Sequence, residues 1–263
     1  MPSSGRSGVP APVALAGVAL PPPPWIAGHR GAAGEAPENT LESLCLAREQ
    51  GADLLEVDLQ LAADGVLVAV HDRDLSRLAG RPELVVEEIP STALLGLEIQ
   101  GPGESRAPLV SLATILARLP EATPLNLELK RWQAPPAKVV QALLAATAGR
   151  SNILVSSFDL ALLARLRRCA PGLPLAPICQ DSAPDLLAAG ERLQAATLHC
   201  GRELATASFL RSARRPVLVF TVNDPQEAIR LFRRGAAGVF SDHPARLRRA
   251  LPAETARGLS EAG

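Results

Sequence analysis

Short aliphatic segments alternate with helix-like segments along most of this chain, and this alternation constrains the fold more than any other feature. Eight segments have the length and composition of buried strands: residues 25–28, 54–59, 124–129, 153–156, 173–178, 195–199, 216–221 and 238–240. Eight helical patterns follow them: residues 40–50, 109–119, 136–148, 160–169, 184–189, 203–212, 225–233 and 244–251. Strands that alternate with helices predict βαβ units and a parallel sheet.

Eight such units predict an α/β fold of the TIM (β/α)8 barrel type. An open doubly wound sheet is the alternative, but the chain has no G-x-G-x-x-G or Walker loop that would favour it. Residues 66–107 fit neither a helix nor a simple loop, and we interpret them as a short strand at 66–70 followed by an insertion over about 73–107. We therefore expect a barrel domain over residues 25–252 with a small insertion after the second strand region.

The two ends of the chain differ from the predicted barrel. Residues 1–24 are dominated by Pro, Ser, Gly and Ala and carry one charge, Arg6, which indicates a flexible tail. A signal peptide is the alternative, but the apolar run at residues 13–20 is short and no clean cleavage site follows it. Residues 253–263 are assigned to a C-terminal tail. No apolar stretch reaches the roughly 18 residues of a spanning helix, so no stable membrane insertion is expected.

Charge and composition limit the partners. The 27 basic and 27 acidic residues cancel, and aromatic residues make up only 3% of the chain. A nucleic-acid partner is therefore not expected, because neither net positive charge nor a base-stacking surface is present. The four cysteines are widely spaced, which argues against zinc ribbons and disulfide scaffolds and favours the cytoplasm over a secreted or periplasmic location. The oligomeric state is left open.

Acidic side chains occur where the predicted strands are otherwise apolar. Glu56 and Asp58 lie two residues apart, so strand alternation directs both toward the barrel axis. Glu128 and Lys130 repeat this spacing on the next strand of the predicted barrel. Inward carboxylates repel one another and lose solvation, and a hard divalent cation such as Mg or Ca would relieve both costs. The alternative is an ion-pair network without a metal.

Two histidines follow predicted strands, at the barrel end where active sites are built. His29 and Arg30 come directly after the first strand, and His71 follows residues 66–70. Together the histidines offer a proton acceptor and a proton donor, while Arg30 and Lys130 would neutralise an anionic centre such as a phosphate. His199 also ends a predicted strand, but it has no carboxylate nearby in sequence, and we expect a structural role.

Segments spread over most of the chain carry a family resemblance. The longest covers residues 27–72 (AGHRGAAGEAPENTLESLCLAREQGADLLEVDLQLAADGVLVAVHD), and shorter ones are LNLELK at 125–130, SSFD at 156–159, FTVND at 220–224 and GVFSDHP at 238–244. These segments resemble the glycerophosphodiester phosphodiesterase family. The resemblance implies a TIM barrel with a small insertion after His71, and hydrolysis of glycerophosphodiesters to glycerol 3-phosphate and an alcohol.

The resemblance also implies roles for the clustered residues. It makes Glu56, Asp58 and Glu128 the ligands of the cation, and His29 and His71 the acid and the base. Spacing does not decide which histidine has which role. The nucleophile is either water or the neighbouring glycerol hydroxyl, which would give a cyclic phosphate that water opens in a second step.

By the same resemblance, Arg30 and Lys130 hold phosphate oxygens. Glu38 and Asn39, in the PENT turn before the first helix, would support the residues that contact the substrate or the metal. Thr40 is a candidate helix cap, and Glu38 is alternatively an ordinary first-turn acid.

Residues after the fourth and seventh strands would form the substrate pocket. Phe158 is placed against the glycerol carbons, although a core position is the alternative. Phe220 stands where the family pattern usually has Trp, which leaves the size of the pocket and the alcohol preference open. Asn223 is a candidate for reaching the site, and Asp242 is a candidate cap for the final helix.

Two alternative functions remain. A related lysophospholipase D-type enzyme would share the site but needs an apolar entrance, and the insertion contains no aromatic residue. A non-catalytic phosphodiester-binding barrel is disfavoured, because all five acidic and histidine positions are filled. A small-molecule glycerophosphodiester is therefore the expected substrate.

Overall fold

The computed structural model of the protein describes residues 17–251. The strands, in chain order, are β1 (Trp25–Gly28), β2 (Leu54–Leu61), β3 (Leu67–Ala69), β4 (Asp74–Leu75), β5 (Arg81–Val85), β6 (Glu98–Gln100), β7 (Arg106–Pro108), β8 (Leu125–Leu129), β9 (Ile153–Ser157), β10 (Leu175–Cys179), β11 (Leu198–Gly201), β12 (Val217–Phe220) and β13 (Gly238–Ser241). The helices are α1 (Leu41–Glu49), α2 (Ser76–Ala79), α3 (Ser91–Leu94), α4 (Leu112–Arg118), α5 (Pro136–Ala146), α6 (Leu160–Cys169), α7 (Ala183–Arg192), α8 (Ala207–Ser212), α9 (Pro225–Arg233) and α10 (Pro244–Ala250).

Eight parallel strands form a closed barrel. Their order around the barrel is β1, β2, β8, β9, β10, β11, β12 and β13, and β1 pairs with both β2 and β13. A helix lies between successive strands of this set, and the predicted TIM barrel is confirmed. The carboxyl ends of all eight strands therefore meet at one face, where the loops are free to carry functional side chains.

Strand alternation separates the aliphatic core from the polar interior. On β2, Leu55, Val57 and Leu59 belong to the large aliphatic cluster between strands and helices. Glu56 and Asp58 point the other way and are almost fully buried at 1% exposure each. The inward direction predicted for these two carboxylates is confirmed, and it follows from the two-residue period of a strand.

Several predicted elements have different bounds in the structure, and local capping interrupts two of the predicted helices. The predicted helix over 203–212 is a 3-10 turn at Arg202–Leu204 followed by α8, whose amino end is capped by the Thr206 side chain. The helix predicted over 109–119 begins only at Leu112, since Ser111 caps it after β7. The strand predicted over 195–199 is shifted to Leu198–Gly201.

The insertion after β3 has a small apolar core of its own, built mainly from residues 75–109. Its buried members include Leu75, Leu78, Val86, Leu94, Ile99 and Leu109. The insertion is also tied to the loop after β8, because the Glu87 carboxylate accepts hydrogen bonds from the backbone N–H groups of Trp132, Gln133 and Ala134 at 2.9, 2.6 and 2.8 Å. These contacts fix the insertion beside the carboxyl ends of the first barrel strands.

Residues 17–24, which the sequence assigns to a flexible tail, contact the barrel. Val18 is 5% exposed, and the Asn152 side chain accepts a hydrogen bond from the Ala19 N–H at 2.8 Å. The remaining tail predictions, for residues 1–16 and 253–263, lie outside the described residues, as does most of the signal-peptide alternative. Among residues 17–251, no helix combines the length and the apolar character that a bilayer span requires.

Candidate active site

Three carboxylates meet at the carboxyl ends of β2 and β8. Asp58 and Glu128 are register partners on the two adjacent strands, and Glu56 lies two residues before Asp58 on the same face. One ligand atom from each of the three side chains lies within 4.8 Å of the others. The structure thus brings together the three residues that the sequence predicts as metal ligands.

Asp58 is surrounded by positive charge and amide groups. Its Oδ1 lies 3.3 Å from Lys130 Nζ, and its Oδ2 lies 3.1 Å from Arg30 Nε. Asn39 donates a hydrogen bond to Oδ2 at 3.0 Å and accepts one from the Asp58 N–H at 2.9 Å. Burial opposes ionisation, but Lys130 and Arg30 outweigh it and lower the pKa of Asp58 to about 2. Asp58 is therefore ionised at every physiological pH.

Glu56 has the opposite environment. Its Oε2 accepts a hydrogen bond from the Arg30 N–H at 2.6 Å, whereas its buried Oε1 has no hydrogen-bond partner among the described residues. Burial, together with repulsion by Asp58 and Glu128, raises the pKa of Glu56 well above its ordinary value. Burial likewise raises the pKa of Glu128, despite its contact with Lys130.

These carboxylates fit a divalent cation. An unpartnered, buried carboxylate oxygen is costly, and a cation among Glu56, Asp58 and Glu128 would supply the missing partner. It would also remove the repulsion that raises the pKa of Glu56. All three side chains offer the oxygen ligands that hard cations prefer.

The loop after β1 is held in a strained backbone conformation. Arg30 and Asn39 adopt φ angles of 54° and 59°, in the left-handed region that side chains rarely enter. Gly31 has φ 84°, and a Cβ there would lie 2.3 Å from Ser43 Oγ, so only glycine fits. The Asn39 N–H donates to the Arg30 carbonyl at 3.0 Å. This compact turn directs Arg30 and Asn39 toward Asp58.

Thr40 caps α1, as predicted.

His29 is paired with a carboxylate from the other end of the chain. Its Nδ1 lies 2.7 Å from Asp242 Oδ1. Asn223 donates to Asp242 Oδ2 at 2.7 Å and accepts from the Asp242 N–H at 2.9 Å. Burial opposes ionisation of Asp242, but the hydrogen bond with His29 holds its pKa below the ordinary value. An ionised carboxylate only accepts, so His29 Nδ1 carries the proton and Nε2 is left for other chemistry.

His71 is paired in the same way, with its own neighbour in sequence. Its Nδ1 lies 2.7 Å from Asp72 Oδ1. The buried Gln60 side chain, on β2, donates to the carbonyls of Val70, His71 and Asp72 at 3.2, 3.1 and 2.5 Å. Burial lowers the pKa of His71, so its neutral form predominates near pH 7. Both histidines therefore present Nε2 as the free ring nitrogen.

A cavity of about 160 Å³ joins these groups. Its lining includes most of the predicted site: His29, Arg30, Glu56, His71, Glu128, Lys130, Phe158 and Phe220, together with Ile178, Gln180, His199 and Phe240. The Phe158 and Phe220 rings meet edge to face at 6.1 Å, and Lys130 Nζ lies 5.5 Å from the Phe158 centroid. Both aspartate-paired histidines, two of the three clustered carboxylates and two cations thus line a space with one apolar wall.

The sequence profile of the glycerophosphoryl diester phosphodiesterase family matches residues 29–246. This range contains both histidine–aspartate pairs and all three carboxylates. The chain belongs to this family. It is a hydrolase of the phosphodiesterase class, and its acidic cluster is suited to a metal ion.

Three relatives of this phosphodiesterase show how far the likeness extends. A glycerophosphodiester phosphodiesterase of Bacillus altitudinis is 28% identical over 236 residues, which cover 84% of this chain and 95% of that protein. The solved structure of an Oleispira antarctica phosphodiesterase, in complex with its product sn-glycerol-3-phosphate, matches with a TM-score of 0.77 and 28% identity, covering 86% of this chain and 96% of that one. A mouse lysophospholipase D is 40% identical over 116 residues, 40% of this chain and 34% of that protein.

The phosphodiesterase site also contains residues whose place the sequence did not show. Asp242 was expected to cap the final helix. The residue at the cap position of α10 is instead His243, whose side chain makes no capping hydrogen bond. Asp242 contacts His29. Asn223, which the sequence offers as a candidate for reaching the site, contacts it through Asp242. Gln60 carries no sequence signal beyond a polar residue in an apolar strand.

Two further residues of the phosphodiesterase lie at the edges of the site. His199 lines the cavity and is buried, with Nε2 3.0 Å from Thr197 Oγ1 and its ring 4.9 Å from that of Phe240. Burial lowers the pKa of His199 to about 3, so it is neutral. Glu38, at the other edge, accepts a hydrogen bond from Arg30 Nη1 at 2.8 Å and also contacts Arg77 of the insertion.

Proposed function

We propose that this phosphodiesterase hydrolyses water-soluble glycerophosphodiesters, such as glycerophosphocholine and glycerophosphoethanolamine, to glycerol 3-phosphate and an alcohol. His29 and His71 carry out the proton transfers. The observation that carries the proposal is that both histidines line one cavity together with Glu56 and Glu128, and that each histidine is paired with an aspartate.

The two histidines have complementary tasks. Hydrolysis forms one P–O bond to the nucleophile and breaks the P–O bond to the alcohol. One histidine Nε2 takes the proton of the nucleophile, and the other, protonated, gives its proton to the departing alcohol. Asp72 and Asp242 hold the rings by Nδ1 and stabilise the imidazolium form that each task requires.

The nucleophile is water or the neighbouring glycerol hydroxyl. The hydroxyl is already held next to the phosphorus, which favours an internal attack and a transient cyclic phosphate. Rapid quench during a single turnover distinguishes the two routes. A cyclic glycerophosphate that forms and decays supports internal attack, whereas direct appearance of glycerol 3-phosphate supports water.

Glu56, Asp58 and Glu128 would hold a divalent cation, Mg or Ca. When bound, such a cation withdraws charge from the phosphate and stabilises the transition state. Arg30 and Lys130 line the same cavity and would bind phosphate oxygens. Burial opposes the positive charge of Lys130, but Asp58 and Glu128 raise its pKa above the ordinary value, so it remains a cation.

The apolar wall of the cavity suits the carbon atoms of the substrate. Phe158 is 45% exposed, and its ring is held edge to face against Phe220. Glycerol carbons packed against these rings would leave the phosphate facing Lys130 and the histidines. Phe220, in place of the usual Trp, keeps this wall apolar.

The decisive experiment measures glycerol 3-phosphate release from glycerophosphocholine and glycerophosphoethanolamine by the purified protein. The reaction is run as purified, with EDTA, and with Mg or Ca restored. We expect release that EDTA abolishes and one cation restores. His29→Asn and His71→Asn should each be inactive at unchanged melting temperature. No release with either cation would overturn the proposal.

A lysophospholipase D activity is the second candidate. Trp132, in the loop after β8, is 51% exposed and lies on the same face of the barrel as the exposed Phe158. These two rings could contact an acyl chain or a lipid surface. Activity on micellar lysophospholipid that exceeds activity on glycerophosphocholine, and that falls with Trp132→Ala, would favour this candidate.

We also propose a cytoplasmic location, because the four cysteines are free thiols in the described structure. Fractionation of the producing cells should recover the activity with cytosolic enzymes. Recovery with secreted or periplasmic enzymes would overturn this assignment.

A further inference from the structure

Arg77 lies outside the barrel, in helix α2 of the insertion, yet it contacts two acidic side chains of the candidate site. Its Nε donates to Asp72 Oδ2 at 2.6 Å. Its two terminal nitrogens donate to the two oxygens of Glu38, each at 2.8 Å. The guanidinium therefore uses all three nitrogens on these two carboxylates, although half of the side chain is exposed to solvent.

Each of the two carboxylates holds another side chain of the site. Asp72 contacts His71 Nδ1 at 2.7 Å through its other oxygen. Glu38 accepts from Arg30 Nη1 at 2.8 Å. A continuous chain of charged hydrogen bonds thus runs from His71 through Asp72, Arg77 and Glu38 to Arg30.

Asp72 needs such a partner to keep its orientation. It lies in the segment between β3 and β4, its side chain is 28% exposed, and rotation about its side-chain bonds would break the contact with His71. A charge-assisted hydrogen bond from a planar guanidinium fixes both the position and the plane of the carboxylate. Burial opposes ionisation, but the hydrogen bond from Arg77 lowers the pKa of Asp72, as it does for Glu38.

We propose that Arg77 is a positioning residue, through which the insertion orients His71 by way of Asp72 and Arg30 by way of Glu38. This inference rests on the proposed function for its effect on turnover. The contacts themselves exist whatever the substrate. The insertion then contributes to the active site, because its Arg77 holds Asp72, the carboxylate that contacts His71.

Arg77→Ala tests the role, with Arg81→Ala as the matched control. Arg81 belongs to the same insertion, its side chain is also 50% exposed, and it pairs with Glu83 away from the site. We expect kcat to fall about 10–100-fold in Arg77→Ala, because small displacements of catalytic groups have effects of this size. Arg81→Ala should remain within twofold of the wild type. Equal kcat values for the two variants would overturn the inference.

Three further measurements separate positioning from a loss of fold. Arg77→Lys keeps the charge but cannot contact both carboxylates in the same way, and it should recover only part of the loss. Guanidinium at non-denaturing concentration should partly rescue Arg77→Ala and leave Arg81→Ala unchanged. In a double-mutant cycle, Arg77→Ala and Asp72→Ala should be strongly non-additive in kcat. Additive losses and no rescue would indicate a purely structural role.

Nuclear magnetic resonance of the histidine side chains gives a readout that does not depend on turnover. In the wild type, we expect the neutral His71 ring to carry its proton on Nδ1, and in Arg77→Ala we expect a mixture of the two tautomers. A wild type without phosphodiesterase activity would overturn the proposed function, and the tautomer shift would still test Arg77. An unchanged His71 tautomer in Arg77→Ala would overturn the positioning role even in an active enzyme.

Discussion

Glu56 and Asp58 lie two positions apart on one strand, yet their surroundings shift their pKa values in opposite directions. Asp58 faces Lys130, Arg30 and Asn39, which favour its ionised form over the cost of burial. At Glu56, burial and repulsion by Asp58 and Glu128 outweigh the favourable effect of Arg30, and Oε1 has no partner among the described residues. Asp58 is thus a permanent anion, whereas Glu56 becomes an anion most easily when a cation binds.

Cation binding should therefore compete with protons at Glu56. Because the pKa of Glu56 is raised, Mg or Ca should bind more weakly at pH 5.5 than at pH 8. Binding of the cation should also release protons from Glu56. Titration calorimetry in buffers of different ionisation enthalpy measures both quantities. Glu56→Gln should bind the cation at least about tenfold more weakly, and the exposed Glu83→Gln should bind normally. Equal affinity at both pH values would contradict this prediction.

Asp242→Asn should leave the fold intact and reduce turnover. The amide can replace the carboxylate sterically, but it does not stabilise the protonated His29 ring or fix its tautomer. We expect kcat to fall about 10²–10⁴-fold, the range for general acid–base groups, with little change in melting temperature. Asp53→Asn is the control, because Asp53 pairs with Arg248 in a contact outside the cavity. That variant should lose stability and keep its kcat.

At the scale of elements, strand β2 continues beyond the barrel and pairs antiparallel with β3 through Leu59–Ala69 and Leu61–Leu67. The segment that contains His71 follows β3 directly, so the pairing of β2 with β3 positions that segment. The Gln60 side chain holds three successive carbonyls of that segment. One strand thus supplies two of the three carboxylates of the cluster and the support for a histidine.

Gln60→Met should weaken this support. Methionine has a similar volume but no donor, so the carbonyls of residues 70–72 lose hydrogen bonds inside the protein. We expect a loss of about 1–3 kcal/mol in the free energy of unfolding by urea, together with a lower kcat. Gln141→Met, at an exposed position of α5, is the control and should change the free energy by less than about 0.5 kcal/mol. Similar values for both variants would rule out the supporting role of Gln60.

The elements also show which parts of the site are predictable from sequence. Glu56, Asp58 and Glu128 were predictable because strand alternation fixes their direction, and His29 and His71 because both follow apolar strands. The roles of Gln60, Arg77 and Asp242 were not predictable, since a hydrogen bond between distant segments leaves no local pattern.

Asp242 illustrates this limit. It precedes a helix that begins with proline, which is a typical setting for a cap. Only the pairing of β1 with β13 brings it to His29. Arg77 was equally hidden, because its insertion has no regular period and its contacts with Glu38 cross 39 positions of the sequence.

At the scale of the whole molecule, the charged cluster should give the metal-free protein a stability maximum in mildly acidic solution. Because the pKa of Asp58 is lowered to about 2, its ionised side chain stabilises the folded protein. This stabilisation is fully present above pH 3.8 and is lost as the pH falls toward 2. The pKa values of Glu56 and Glu128 are raised, so these side chains favour the folded state while they are protonated. Their contribution to stability is fully present below pH 4.5 and is lost as the pH rises through the pKa values that they have in the folded protein.

The melting temperature in EDTA should therefore rise from pH 3 to about 5 and decline again toward pH 8. Mg or Ca should remove most of the decline on the alkaline side, because the cation compensates the ionised glutamates. Differential scanning calorimetry across this pH range measures both effects. Glu56→Gln in EDTA should show a smaller alkaline decline, and a decline as steep as that of the wild type would contradict the assignment.

The barrel closes between β1 and β13, and this closure sets when a newly made chain can become active. His29 is synthesised early, but its carboxylate partner, Asp242, is 213 positions further along. During translation, His29 acquires its fixed orientation only after β13 and Asp242 have been synthesised and β13 has paired with β1. A nascent chain that ends before residue 242 should therefore contain the metal ligands and still be inactive, so hydrolysis is delayed until nearly all of the barrel has been translated.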